Sequence, residues 1–116
     1  MFELNKSEIL RDKRDFNDVY SNGRSYVNKN LVIYVLNDEN YNGKVGFAAG
    51  KKLGGAVVRN RVKRLLREAY RLNKKNLRSD CAIILMGRKN LVDAKVDVAI
   101  KAFRELCKKA KLMTND

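Results

Sequence analysis

The chain has 116 residues, with 26 Lys and Arg against 13 Asp and Glu, so it carries a net +13 and contains no His. That length is one domain's worth and can bury a core without staples, and an apolar share of 45% excludes a disordered basic tail. The missing His removes the usual general base and metal ligand, and the two distant cysteines, Cys81 and Cys107, are too few for a zinc knuckle.

The N-terminal residues MFELNKSEIL show no basic-then-apolar leader pattern. Leu4, Ile9 and Leu10 read as an irregular lead-in. The first helix is expected from about Lys13 to Ser21, with Asp12 as N-cap and Gly23 as its stop. Phe16, Val19 and Tyr20 share one face of it. Arg24 to Val27 begins strand material, and Leu31 to Leu36 is a strand apolar on both faces, Leu31, Ile33 and Val35 on one side and Val32, Tyr34 and Leu36 on the other. Asn37 to Gly43 reads as a loop or hairpin turn, and Lys44 to Ala49 as the returning strand.

A long helix follows, about Ala56 to Asn73, with Gly54 and Gly55 loosening the approach. Cys81 to Met86 reads as a buried central strand, Gly87 to Asn90 as a turn, and Val92 to Lys111 as a last amphipathic helix. The order is αβββαβα, an α+β fold in which a mixed sheet packs with helices. The expectation is one RNA-binding domain over 1–116, with 1–9 and 112–116 irregular or frayed. No apolar run nears the ~20 residues of a membrane span, which points to a cytoplasmic protein.

Such an excess of cations repels itself, and a polyanion relieves it. The excess is concentrated. Lys51, Lys52, Arg59, Arg61, Lys63, Arg64, Arg67 and Arg71 face one acid, Glu68, within Lys51 to Arg71. On a helix, Val58, Val62, Leu65, Leu66, Ala69 and Leu72 gather toward the core. Arg59, Lys63, Arg67 and Arg71 form a line at i, i+4, i+8 and i+12 on the other side, with Asn60 and Arg64 beside it and Arg61 at its flank. Like charges at this spacing repel by a few tenths of a kcal/mol per pair, about 0.2–0.5, and a phosphate backbone turns that repulsion into counterion release. Arginine forks also suit bidentate phosphate contacts. A merely solvated face would intersperse acids, as the last helix does with Asp93, Asp97 and Glu105.

Phe16, Tyr20 and Tyr34 form an aromatic candidate. Rings among cations stack unpaired bases, although by spacing alone an aromatic pair at i, i+4 is more often core. No catalytic constellation, metal-ligand cluster or phosphate-binding glycine loop is found, so catalytic and metal residues are expected to be none.

The stretch KKLGGAVVRNRVKRLLREAY, Lys51 to Tyr70, closely resembles the signature of the bacterial ribonuclease P protein subunit, whose centre is Arg59-Asn60-Arg61 here. Val45-Gly46, the aromatics Phe16 and Tyr20 ahead of Gly23, and the strand carrying Tyr34 fit the same pattern, from about Leu10 to Lys109. The resemblance implies a left-handed βαβ crossover through the basic helix, against the general preference. It implies a subunit of an endoribonuclease whose catalytic RNA removes the 5′ leader of precursor tRNA with magnesium, the ion being held mainly by RNA and substrate. The protein would bind ribonuclease P RNA and precursor tRNA, with no protein partner required.

Carried over by position, Arg59, Asn60, Arg61, Lys63, Arg64 and Arg67 would lie on or beside the catalytic RNA, with Arg71 continuing the ridge and Lys51 and Lys52 adding to it. Phe16, Tyr20 and Tyr34 would line a cleft for the leader. The family often has Phe where Tyr20 stands, and hydroxyl-bearing residues where this chain has Ala48-Ala49-Gly50. The fit over Asp80 to Lys89 is loose, so Arg88 and Lys89 take no role from it. A structural, ribosomal-type RNA-binding protein is the alternative, and the residue inventory disfavours a stand-alone nuclease.

Overall fold

The computed structural model describes residues 6–114. Leu4 and the outermost residues of both expected frayed ends lie outside the described residues. The elements in chain order are α1 (Lys13–Asn22), β1 (Arg24–Val27), β2 (Leu31–Leu36), β3 (Val45–Ala49), α2 (Ala56–Asn73), β4 (Ala82–Gly87) and α3 (Val96–Lys109), the expected αβββαβα order.

The four strands form one mixed sheet in the order β1-β2-β4-β3. β4 is central and apolar. It pairs antiparallel with β2 and parallel with β3. The segment after β2 is therefore not a hairpin, as one reading of Asn37 to Gly43 had it. The side of β2 away from β1 belongs to β4, and β3 lies one strand further out. Residues 37–43 instead make a crossing that contains a short 3-10 turn, Glu39–Tyr41, and the Tyr41 hydroxyl ties it to α1 by donating to Asp18 Oδ2 at 2.7 Å. β3 and β4 are neighbouring parallel strands joined through α2, so the basic helix makes a βαβ connection.

Alternation along the strands separates two cores. On one face Leu31, Ile33, Val45 and Leu85 pack with Val62, Leu66, Phe103 and Leu106 of α2 and α3. On the other, Leu36, Ala82 and Ile84 pack with Leu10 and Val19. The α2 stripe differs from expectation at its end. Leu72 is 45% exposed, and Tyr70 and Asn73 are buried in its place.

Three termini also differ. Asp12 stands at the N-cap of α1 with extended backbone but makes no capping bond. Gly23 ends α1 at φ −83, so its role is closeness and not a left-handed turn: a Cβ there would lie 2.5 Å from Val19 O and 2.9 Å from Val35 O. α3 begins at Val96, four residues later than expected, and the carbonyls of Val92 and Ala94 in the turn before it accept from the Arg61 guanidinium. The end segments have little regular structure but are tied down where described. Ile9 bridges Val45, Met113 bridges Leu77, and Leu112 is buried.

Candidate nucleic-acid interface

α2 positions the cations. Its buried side, Val62, Leu66, Ala69 and Tyr70, is fixed against the sheet, so the line Arg59, Lys63, Arg67 is carried along the flank beside β3. Arg67 shows the contact: its guanidinium carbon sits 5.4 Å from the centroid of the Phe47 ring, a cation–π pair. Phe47 meets Tyr70 edge-on at 6.1 Å, and Tyr70 meets Phe103 at 6.1 Å. A ladder of rings thus runs from a surface cation into the core.

The structure divides the nine cationic-face candidates by what they already hold. Arg59, Asn60, Lys63 and Arg64 bond no described side chain or carbonyl. Arg59 Nε is buried with no partner, a donor the protein itself leaves unspent. Arg61 donates to Val92 O, and to Ala94 O at 3.1 Å. Arg71 is paired with Glu68, which holds that carboxyl below its usual range. Lys51 and Lys52 form a short 3-10 turn ahead of α2, exposed at the carboxyl end of β3.

There they meet residues the sequence left without a role. Gly50, Lys51, Lys52, Leu53, Met86, Gly87, Arg88 and Lys89 enclose an open cavity of about 610 Å³ where the parallel strands β3 and β4 end. Arg88 is oriented by donating from Nη1 to Asn28 O at 2.7 Å. Nothing in the linear sequence puts Lys89 near Lys52; the parallel pairing of Ala49 with Gly87 does.

The aromatic candidates lie on the opposite face of the sheet. Phe16 and Tyr20 are 6.1 Å apart between centroids, and Tyr20 meets Tyr34 edge-on at 4.8 Å. All three are half-buried. They line the smaller core with one side and reach solvent with the other, so core and binding roles are not exclusive here. Burial, and then the nearby Tyr34, push the Tyr20 hydroxyl's pKa up, so it stays protonated at neutral pH. Phe16 rests on Gly46: a Cβ at that position would lie 2.6 Å from Phe16 Cζ. Beyond the rings the same face continues as Val27, Val32 and Met86, none fully buried. This apolar row depends on register, and the candidate list from sequence lacked it.

Among the described residues no three His, Cys, Asp or Glu side chains come together as a metal site, and no helix is long and apolar enough to cross a membrane. Cys107 is buried, and burial pushes its thiol up to about 12, while Cys81 shifts the same way. Both thiols are inert core groups at neutral pH.

Residues 4–111 match the family model described as Ribonuclease P. The chain is 38% identical over 111 residues to the ribonuclease P protein component of Alkaliphilus metalliredigens, covering 96% of this chain and 100% of that one. It is 43% identical over 107 residues to that of Alkaliphilus oremlandii, covering 91% and 93%. The RNase P protein of Staphylococcus aureus has the same fold, with a TM-score of 0.82 at 28% identity over 93% of this chain and 99% of that one. That of Thermotoga maritima gives 0.75 at 28% identity over 88% and 96%.

Proposed function

The chain belongs to the ribonuclease P protein family, and from that membership we propose that its basic helix holds the ribonuclease P RNA while its aromatic groove holds the 5′ leader of precursor tRNA. It is the protein component of an endoribonuclease serving tRNA 5′ maturation. The chemistry is carried by the RNA. Magnesium would enter as an ion held mainly by RNA and substrate, as family membership implies.

One observation carries the division of labour. Gly46 and Phe47 are consecutive on β3, an edge strand, and point to opposite faces of the sheet. Phe47 seats Arg67 of the basic ridge, and Gly46 seats Phe16 of the groove. A catalytic RNA on α2 and a single strand in the groove would then lie on opposite faces of the same edge strand. The protein's contribution is to hold both partners at fixed distance, which favours productive substrate binding. On the ridge, the unspent donors of Arg59 and the free ends of Lys63 and Arg64 suit phosphates. In the groove, Phe16, Tyr20 and Tyr34 offer π-faces to unpaired bases with little demand on their identity.

The test is reconstitution. The protein is mixed with ribonuclease P RNA from a related bacterium at low magnesium, and loss of the leader from precursor tRNA is followed. Stimulated cleavage is expected, and its absence overturns the proposal. Cleavage by the protein alone would restore the stand-alone nuclease. A ribosomal-type protein would co-sediment with ribosomes and leave the assay unchanged.

A further inference from the structure

Outside both surfaces, α3 intersperses acids as a solvated face does, yet its cations gather on one stripe that those acids leave clear after the first turn. Lys101, Arg104 and Lys108 are exposed and fall at i, i+3 and i+7, one stripe of the helix. Lys111, exposed just past the helix end, extends it. Asp97 lies in the first turn, where the helix dipole favours an acid. Glu105, on the flank, accepts from Asn28 Nδ2 at 3.2 Å. α3 packs on the face of the sheet opposite the aromatic groove, so the stripe cannot share the groove's few nucleotides.

Two details show construction. Asn73 is 0% exposed, and it spends its amide on two bonds: Nδ2 donates to Ala69 O at 2.8 Å, and Oδ1 accepts from Arg104 Nε at 3.1 Å. Burying an amide is unfavourable unless it is bonded, and half of this one's bonding fixes one surface arginine, whose Nη groups have no partner among the described residues. The second detail is Lys111, at φ 58. It closes α3 in a Schellman turn: Leu112 N–H donates to Cys107 O at 2.8 Å, and Lys111 N–H to Lys108 O at 3.1 Å. That left-handed position favours glycine, and a side chain there is strained. The chain keeps a cation at it.

Compensation of the helix dipole does not account for the stripe. It amounts to roughly half a charge and fades within the last turn. That suits Lys108 and Lys109 but does not reach Lys101 or Arg104.

We propose that Lys101, Arg104, Lys108 and Lys111 form a second contact for the phosphate backbone of the ribonuclease P RNA, separate from the one on α2. The proposal rests on the reading of α2 as the RNA-holding helix. The protein would grip the RNA at two places on its helical side, leaving the groove side to substrate.

The experiment titrates ribonuclease P RNA, without tRNA, with the whole protein over a range of salt. Lys101→Gln with Arg104→Gln and Lys108→Gln should lower the salt slope by about 0.7–0.9 per contact, which is about sixfold in affinity per contact at 0.1 M salt. Lys111→Gly should lower affinity about sixfold by the same relation while raising the melting temperature by several degrees, about 5 °C, because strain is relieved. A more stable but weaker binder is not explained by misfolding. An unchanged slope in the triple variant, with a lower melting temperature, overturns the proposal and returns the stripe to dipole compensation. A loss seen only when precursor tRNA is present overturns the choice of RNA. Arg59→Ala with Lys63→Ala is measured alongside. If that pair weakens binding and the α3 variants do not, only the second contact falls; if neither does, the reading of α2 falls with it.

Discussion

The two faces of the sheet use the same four strands and are finished differently. One is covered by α2 and α3 over a large core, and its proposed contacts sit on the outside of a helix as a row of charges. The other is covered by α1 with Leu10 before it and Tyr41 of the 37–43 crossing, and its proposed contacts sit in the part these leave open, as half-buried rings. A ridge of charge works at any depth of packing beneath it, because phosphate contacts need only reach and sign. A stacking groove works only if the packing beneath it is incomplete, because a fully covered ring has no face to offer. Arg59, Lys63 and Arg64 of the first surface can be lost without disturbing the fold, since they hold nothing within the described protein; the rings of the second are part of the fold.

That difference predicts separable defects. The largest should come from Arg59→Ala with Lys63→Ala. Neither side chain bonds within the described protein, so stability should be unchanged or slightly higher as repulsion falls. Two lost phosphate contacts reduce the salt slope by about 1.4–1.8, about fortyfold in affinity for ribonuclease P RNA at 0.1 M salt. The ratio of affinities for leader-bearing and mature tRNA should not move. A change in that ratio, measured on the assembled holoenzyme, would mean the two faces are not independent.

Phe16→Ala should act in the reverse sense. Losing one stacking ring costs about 1–3 kcal/mol, so the preference for leader-bearing over mature tRNA should fall by about tenfold with the RNA salt slope intact. Gly46→Ala sharpens the test. It keeps every aromatic residue but places a Cβ 2.6 Å from Phe16 Cζ, so the ring must shift. Leader preference should fall with the ring still present. Equal losses for leader-bearing and mature tRNA in both variants would return Phe16 to a packing role alone.

The same contrast explains what the sequence revealed. The charge ridge follows from helical spacing within Lys51 to Arg71, and α2 has the bounds that spacing indicated. β2 and β4 were legible as apolar runs. The sheet order was not, because nothing local says that β4 inserts between β2 and β3; strand pairing is a long-range choice. Everything that depends on it was hidden as well: Gly46 beneath Phe16, Phe47 beneath Arg67, and Lys89 beside Lys52. A shift of one residue in the register of β3 would exchange the faces of Gly46 and Phe47 and remove the seat of both surfaces at once. The charges of the ridge were also legible, but not how they are spent. Sequence spacing puts Arg61 at the flank of the line that holds Arg59, but does not reveal that its guanidinium is already bonded to Val92 and Ala94.

Arg61 is where the smallest and most discriminating effect is expected. Its guanidinium bonds the carbonyls of Val92 and Ala94, in the turn before α3. Those carbonyls precede a helix whose N-cap, Lys95, makes no side-chain capping bond. The arginine therefore ties the basic helix to the turn before α3; as a donor it cannot cap the N–H groups of α3 itself. Hydrogen bonds at an exposed surface contribute modestly, and losing this pair should cost about 1 kcal/mol of stability, a drop of about 5 °C in melting temperature for a domain of this size. The expected loss of RNA affinity for Arg61→Ala is smaller than for Arg59→Ala, whose donors have no use inside the protein. Arg61→Lys keeps the charge but loses the planar fork that spans two carbonyls, so it should retain the salt slope and still show the lower melting temperature. If Arg61→Ala instead matched Arg59→Ala in salt slope with no thermal change, the bonds to Val92 and Ala94 would give way when RNA binds, and both arginines of the motif would belong to the ridge.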